Sequence, residues 1–168
     1  MQLTTQLTKF LQSATAKELM EFQFLLNHQE YQHLPVTMKE FLDDPIYTSK
    51  EDRPRPANRQ LLIDFFDNFT SFDEFENLGK FEELLYIAGI GSGKSFTSSK
   101  AIQYIVYRLL CLRNPQEYFK LAPGSKIAFI NISKSFSQAK DVVFGEIKNR
   151  IDNSPWFQTY YAPDPRIK

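Results

Sequence analysis

The feature that most constrains what this chain can fold into is the stretch Leu84 to Thr97, LLYIAGIGSGKSFT. Five apolar residues, Leu84 to Ala88, read as a buried strand. Gly89-Ile90-Gly91-Ser92-Gly93-Lys94-Ser95 follows, and a helical pattern begins at once. The order is Ala or Gly, four residues of any kind, then Gly-Lys and Ser or Thr, with Ala88 in the first position.

Those residue types suit a loop that wraps a phosphate. Gly89, Gly91 and Gly93 let the backbone curl so that successive N–H groups point inward, where a Cβ would crowd an anion. The curl makes a concave anion site, and the helix behind it adds partial positive charge. Lys94 is expected to reach the β- and γ-phosphates of ATP as the catalytic cation, and the Ser95 hydroxyl to sit on Mg²⁺. The candidate nucleotide-binding residues are therefore Ala88, Gly89, Ile90, Gly91, Ser92, Gly93, Lys94, Ser95 and Phe96.

Charge narrows the class of partner. Twenty basic residues balance 20 acidic ones, so no global positive field argues for nucleic acid, and any DNA contact needs a local patch. The sole cysteine, Cys111, excludes an intrachain disulfide framework, fits a reducing compartment and reads as a buried, inert thiol. No apolar run approaches the ~20 residues that span a bilayer, and the N-terminus lacks the layout of a signal peptide. These features read as a cytoplasmic chain without membrane association.

Taken in order, residues 3–12 suggest a short helix, and Thr15-Ala16-Lys17-Glu18 is a capping box opening a helix to about His33, with Leu19, Phe22, Leu26 and Tyr31 near one face. His28 and His33 are five apart and share no helix face, so they read as ordinary histidines rather than zinc ligands. A second box, Thr37 to Glu40, opens a short helix that Pro45 ends. Residues 45–58 form a Pro-rich polar connection. Asn58 to Phe69 looks helical, apolar at Leu61, Leu62, Phe65, Phe66 and Phe69, and Ser71 to Glu74 suggests a further cap with Gly79 as a stop.

Beyond the loop, Lys94 to about Leu112 predicts a strong helix with Ile102, Ile105, Leu109 and Leu110 inward. KIAFIN, Lys126 to Asn131, reads as a second buried strand. Ser133 to about Ile151 reads as an amphipathic helix, with Phe136, Ala139, Val143, Phe144, Ile147 and Ile151 inward, before an irregular aromatic tail. The expected fold class is α/β: the start of a P-loop parallel sheet, strand–loop–helix–strand–helix, behind a helical N-terminal region. The expected division is 1–57, helical with its Pro-rich connection, and 58–168, a partial P-loop ATPase domain. No apolar strand ending in Asp or Glu follows Ser95, so the acid that usually completes a Mg²⁺ site is missing and the chain reads as the front of a larger ATPase.

At this point the sequence resembles the N-terminal part of the large terminase subunit of tailed phages. TMKEFLDDPIY (37–47) with RPRPANRQLLIDFF resembles that family's lead-in. GKFEELLYIAGIGSGKSFTSS (79–99) resembles its Walker A strand and loop. KIAFINISKSFSQAKDVVFGEIKNRIDNSPWF (126–157) resembles its next strand and helix, including Gln138-Ala139 and the Ser-Pro-Trp-Phe ending. The resemblance implies an ATPase driving double-stranded DNA into a procapsid in the host cytoplasm, as a homo-oligomeric ring working with a small subunit and a portal. It implies phosphate binding for Gly93 and Lys94 and a Mg²⁺ role for Ser95, while the family's nuclease carboxylates lie outside this chain. Many members carry a basic residue where Ile90 stands, so a charge-stabilising arginine has to come from elsewhere. The family also often reads adenine with an upstream glutamine, for which Gln60 is a candidate beside the reading of a solvent-facing side chain.

Two other readings stay open. One is a small P-loop kinase, which usually carries its loop nearer the N-terminus. The other is a truncated module that binds nucleotide or a partner without turnover.

Overall fold

The computed structural model describes residues 13–70, 80–130, 132 and 144–161. The elements in chain order are α1 (Ala16–Asn27), α2 (Met38–Asp43), a 3₁₀ turn (Lys50–Asp52), α3 (Pro56–Phe66), α4 (Lys94–Leu110), α5 (Pro115–Tyr118), α6 (Gly145–Asp152) and α7 (Pro155–Tyr160). The chain divides into two compact units, one of Met1–Pro35 with Arg108–Ile127, the other of Val36–Tyr107 with Ala128–Lys168.

In the first unit, α1 opens on the capping box expected at Thr15. The Thr15 hydroxyl accepts the Glu18 amide at 3.3 Å, and the Thr15 amide donates to the Glu18 carboxylate at 2.7 Å. The helix stops at Asn27, short of His33. There the His28 ring stacks on Phe24, centroids 4.5 Å apart, and the chain turns so that Gln32 N–H donates to the Cys111 carbonyl at 2.7 Å. Arg113 N–H donates to the Glu30 carbonyl at 2.8 Å. A pairing with residues some eighty positions away overrides the local helical pattern. Tyr31 is buried in this arrangement, whereas Leu19, Met20 and Leu26 are exposed. Cys111 is buried, and the long helix is followed by α5, which Asn114 caps with Pro115 in its first turn.

The second unit is built on a helical aromatic core. Met38, Phe41 and Leu42 of α2, Leu62 and Phe66 of α3, Tyr104 and Tyr107 of α4, and Trp156 and Phe157 of α7 are all buried. Ring centroids lie 5.2 Å apart for Phe41–Tyr104, 5.1 Å for Phe66–Tyr104 and 4.7 Å for Tyr107–Trp156. Buried tyrosines need partners for their hydroxyls. Tyr104 donates to the Val36 carbonyl at 2.8 Å, and Tyr107 accepts the Val36 amide at 3.0 Å. Thr37 caps α2 by accepting the Glu40 amide at 3.2 Å. Asp67, at the C-terminal end of α3, takes two more amides of the same turn, Met38 at 2.7 Å and Lys39 at 2.8 Å. One carboxylate thus satisfies two orphan donors of a neighbouring helix.

The expected α/β sheet is corrected by this architecture. Among the described residues there is no strand, and the one bridge, Tyr31 with Leu112, is isolated. Neither Leu84–Ala88 nor residues 126–130 enter a ladder. Leu85, Ile87 and Ile130 are each more than four-fifths exposed. A strand needs a lateral partner for its N–H and C=O groups, and no partner segment lies beside either run among these residues. The unit's core comes instead from helix packing. The buried face of α4 is also not the aliphatic one: Thr97, Lys100, Gln103, Tyr104 and Tyr107 are buried, while Ile102, Ile105, Leu109 and Leu110 are half-buried.

The tail read as irregular contains α7. Pro155 sits in its first turn, where its missing N–H costs nothing, and Trp156 and Phe157 anchor it in the core. The helix expected at 3–12, the cap at 71–74 with Gly79, and most of the helix expected from Ser133, including Gln138 and Ala139, fall outside the described residues.

Candidate functional site

The glycine-rich loop belongs wholly to the second unit and runs directly into α4. Gly91 has φ +78° and Gly93 φ +88°, the left-handed region that favours glycine. At Gly93 a second constraint acts, because a Cβ there would lie 2.6 Å from the Asn58 Nδ2 atom. Gly89 has neither property: a Cβ on it would meet nothing within 4 Å. Ile90 is fully exposed at the loop tip.

The first intrahelical acceptor of α4 is the Gly93 carbonyl, which receives the Thr97 amide at 2.9 Å and the Thr97 hydroxyl at 3.0 Å. The amides of Lys94, Ser95 and Phe96 precede it and have no intrahelical acceptor. The Lys94 ammonium folds back over the loop, donating to the Ala88 carbonyl at 2.6 Å and the Gly89 carbonyl at 2.7 Å. No carboxylate among the described residues pairs with it. Ser95 follows as the second residue of α4. The Ser92 hydroxyl oxygen is enclosed and has no hydrogen-bond partner among the described residues.

The start of α3 holds the loop from the other side. Asn58, 3% exposed, donates from Nδ2 to the Ser92 carbonyl at 3.0 Å and accepts the Tyr86 hydroxyl on Oδ1 at 2.8 Å. Arg55, the residue before α3, donates from Nη1 to the Gly91 carbonyl at 2.8 Å. Arg55 and Asn58 are three apart, a spacing that puts both on one side of the first turn. Neither was legible as a loop contact, since the partners lie 36 and 34 positions away. Gln60, the adenine candidate, is exposed and donates to the Asp64 carboxylate at 2.7 Å.

An ionic cluster around the buried Lys100 packs against the first turns of α4. The Ser99 hydroxyl donates to Glu146 at 3.2 Å, and Arg150 pairs with Glu146 at 3.1 Å and with Asp52 at 3.2 Å. The fully buried Lys100 ammonium pairs with Asp52 at 2.6 Å and donates to Gln103 at 3.0 Å. Burial pushes the Lys100 ammonium down to about 8, with Asp52 opposing the shift. The Arg150 guanidinium lies 4.3 Å over the Phe96 ring, so that side chain faces the cluster. Lys100 and Arg150 are balanced here by Asp52 and Glu146. At the loop, neither Lys94 nor Arg55 pairs with an acid among the described residues.

The donor set fits a phosphate with a bound divalent cation: two glycines in left-handed conformations, a helix N-terminus whose first amides lack intrahelical acceptors, a lysine without a carboxylate partner among the described residues, and a hydroxyl next to it. A glycine-rich loop with its lysine at the first position of a helix marks a P-loop domain. Residues 12–166 match the model of the family described as "Uncharacterized protein MJ0330, N-terminal P-loop domain", and the chain belongs to that family. No curated protein and no solved structure matches the chain. Among the described residues, no helix is long and apolar enough to cross a membrane.

Proposed function

We propose that the loop from Ala88 to Phe96 binds Mg²⁺-ATP. The observation that carries this reading is the Lys94 ammonium, held against two loop carbonyls with no carboxylate partner among the described residues, beside the first amides of α4, which have no intrahelical acceptor. An incoming phosphate offers Lys94 a stronger, charge-assisted partner than a carbonyl. In this reading the amides of Lys94, Ser95 and Phe96 orient the phosphate, and the hydroxyl of Ser95, the second residue of α4, would hold Mg²⁺. The cation when bound would neutralise phosphate charge. Titration calorimetry with Mg²⁺-ATP tests the reading. The expected result is saturable binding that Lys94→Ala weakens roughly 10- to 100-fold. Unchanged affinity in Lys94→Ala would sink it.

We further infer that nucleotide binding here serves a DNA-packaging ATPase. The support is the resemblance of residues 37–47, 79–99 and 126–157 to the large terminase subunit. With zero net charge, DNA binding by this chain is expected to be weak and salt-sensitive. Its test is the affinity for double-stranded DNA with and without Mg²⁺-ATP. A nucleotide-dependent affinity supports the motor reading, and no DNA binding in either state removes it.

A further inference from the structure

We propose that Arg55 is a second phosphate-contacting cation of the same site, responsible for preferring a nucleoside triphosphate over a diphosphate. The inference rests on the nucleotide-binding reading above. The loop itself carries one charge, Lys94, and its tip residue Ile90 is apolar and fully exposed. The structure brings a second charge from elsewhere in the chain: Arg55 Nη1 donates to the Gly91 carbonyl, next to Ile90, at 2.8 Å.

This approach is built into the fold. Asn58, one turn further on, is buried, anchored to the Ser92 carbonyl and held by the Tyr86 hydroxyl. The first turn of α3 therefore grips two successive loop carbonyls, and the position of Arg55 follows from that of Asn58. The next residue, Pro56, opens α3 with its φ set by its ring, which stiffens the point from which Arg55 projects.

The guanidinium has donors to spare. A guanidinium offers several N–H groups in a fixed fork, and Arg55 uses one on Gly91. Its side chain is exposed, and no carboxylate among the described residues pairs with it. The neighbouring basic residues Arg150 and Lys100 are both matched with acids, whereas Lys94 and Arg55, the two cations that touch the loop carbonyls, pair with no acid among the described residues. Lys94 lies over the Ala88–Gly89 side of the loop and Arg55 at the Gly91 rim. An anion seated on the free amides of α4 meets Lys94 first. A chain of phosphates extending outward along the rim then meets Arg55, so the outermost phosphate is its partner.

The experiment is calorimetric titration of the whole chain with Mg²⁺-ATP and with Mg²⁺-ADP, for wild type, Arg55→Ala, Arg55→Gln and Asn58→Ala. The expected result is that Arg55→Ala and Arg55→Gln weaken ATP binding roughly tenfold or more while changing ADP binding by less than about threefold. Gln retains an N–H that can reach toward the Gly91 carbonyl but has no charge, so it separates a charge effect from a buttressing effect. Asn58→Ala, which loosens the anchor, is expected to weaken both nucleotides. Equal loss of ATP and ADP in Arg55→Ala, or ATP affinity restored in Arg55→Gln, would make Arg55 a loop buttress and overturn the proposal. Failure of the wild type to bind either nucleotide would instead overturn the nucleotide site on which it rests. Arg55 is exposed, so its variants are expected to keep the wild-type thermal midpoint.

Discussion

Asn58 and Gly93 are fitted to one another: the Asn58 amide occupies the space that a Cβ on residue 93 would need, 2.6 Å from its ideal position, while donating to the adjoining Ser92 carbonyl. The loop is therefore shaped by two things at once, its own backbone freedom and a side chain from α3.

That relationship predicts the behaviour of Gly93→Ala. The left-handed φ costs an alanine about 1–2 kcal/mol, and the clash with Asn58 adds to it. Asn58→Ala in the same chain relieves the clash and leaves the backbone strain. A double-mutant cycle by chemical denaturation should show the two losses summing to less than their separate values. Strict additivity would mean that the two residues do not meet.

Lys100 predicts a pH dependence. Its folded value of about 8 lies below the ordinary 10.5. Below both values the buried charge is a full penalty in the folded state. As pH rises from about 8 toward 10.5 the folded chain releases this proton before the unfolded chain does, so the penalty lifts and stability gains. Relative to Lys100→Met, the wild type should gain about 2 kcal/mol between about pH 7 and about pH 10. Parallel denaturation curves for the two proteins over that range would contradict the burial of Lys100.

Ser92 carries an enclosed hydroxyl oxygen without a partner among the described residues. A buried hydroxyl left unbonded is unfavourable. Ser92→Ala should therefore be neutral or stabilising, by up to about 1 kcal/mol. A lowered thermal midpoint would reveal a bond that this arrangement lacks.

Asp67 bridges two helices through the Met38 and Lys39 amides. Asp67→Ala removes both acceptors while Thr37 still caps the helix, and a loss of about 1–2 kcal/mol in denaturant unfolding is expected. Asp67→Asn, which keeps one acceptor oxygen, should recover part of it. Equal stability in all three proteins would show that the amides find solvent instead.

What the sequence determined by itself is local. The loop begins where Ala88 and Gly89 place it, and α4 begins at Lys94. Thr15 and Thr37 cap their helices because a side chain and an amide three residues away need no distant partner. The tertiary structure decided everything that depended on distant segments. Leu84–Ala88 and residues 126–130 carry the apolar composition of strands, yet a ladder is a relation between segments, and neither forms one among the described residues. The buried face of α4 follows the acids and aromatics that α2, α6, α7 and the 3₁₀ turn bring to it, so Lys100, Gln103 and Tyr104 go inside ahead of Ile102 and Ile105. Arg55 and Asn58 reach the loop, and Tyr86 reaches Asn58, only because α3 packs beside it. Hydrogen bonds spanning 28 to 36 residues leave no periodicity, spacing or composition in the chain to announce them.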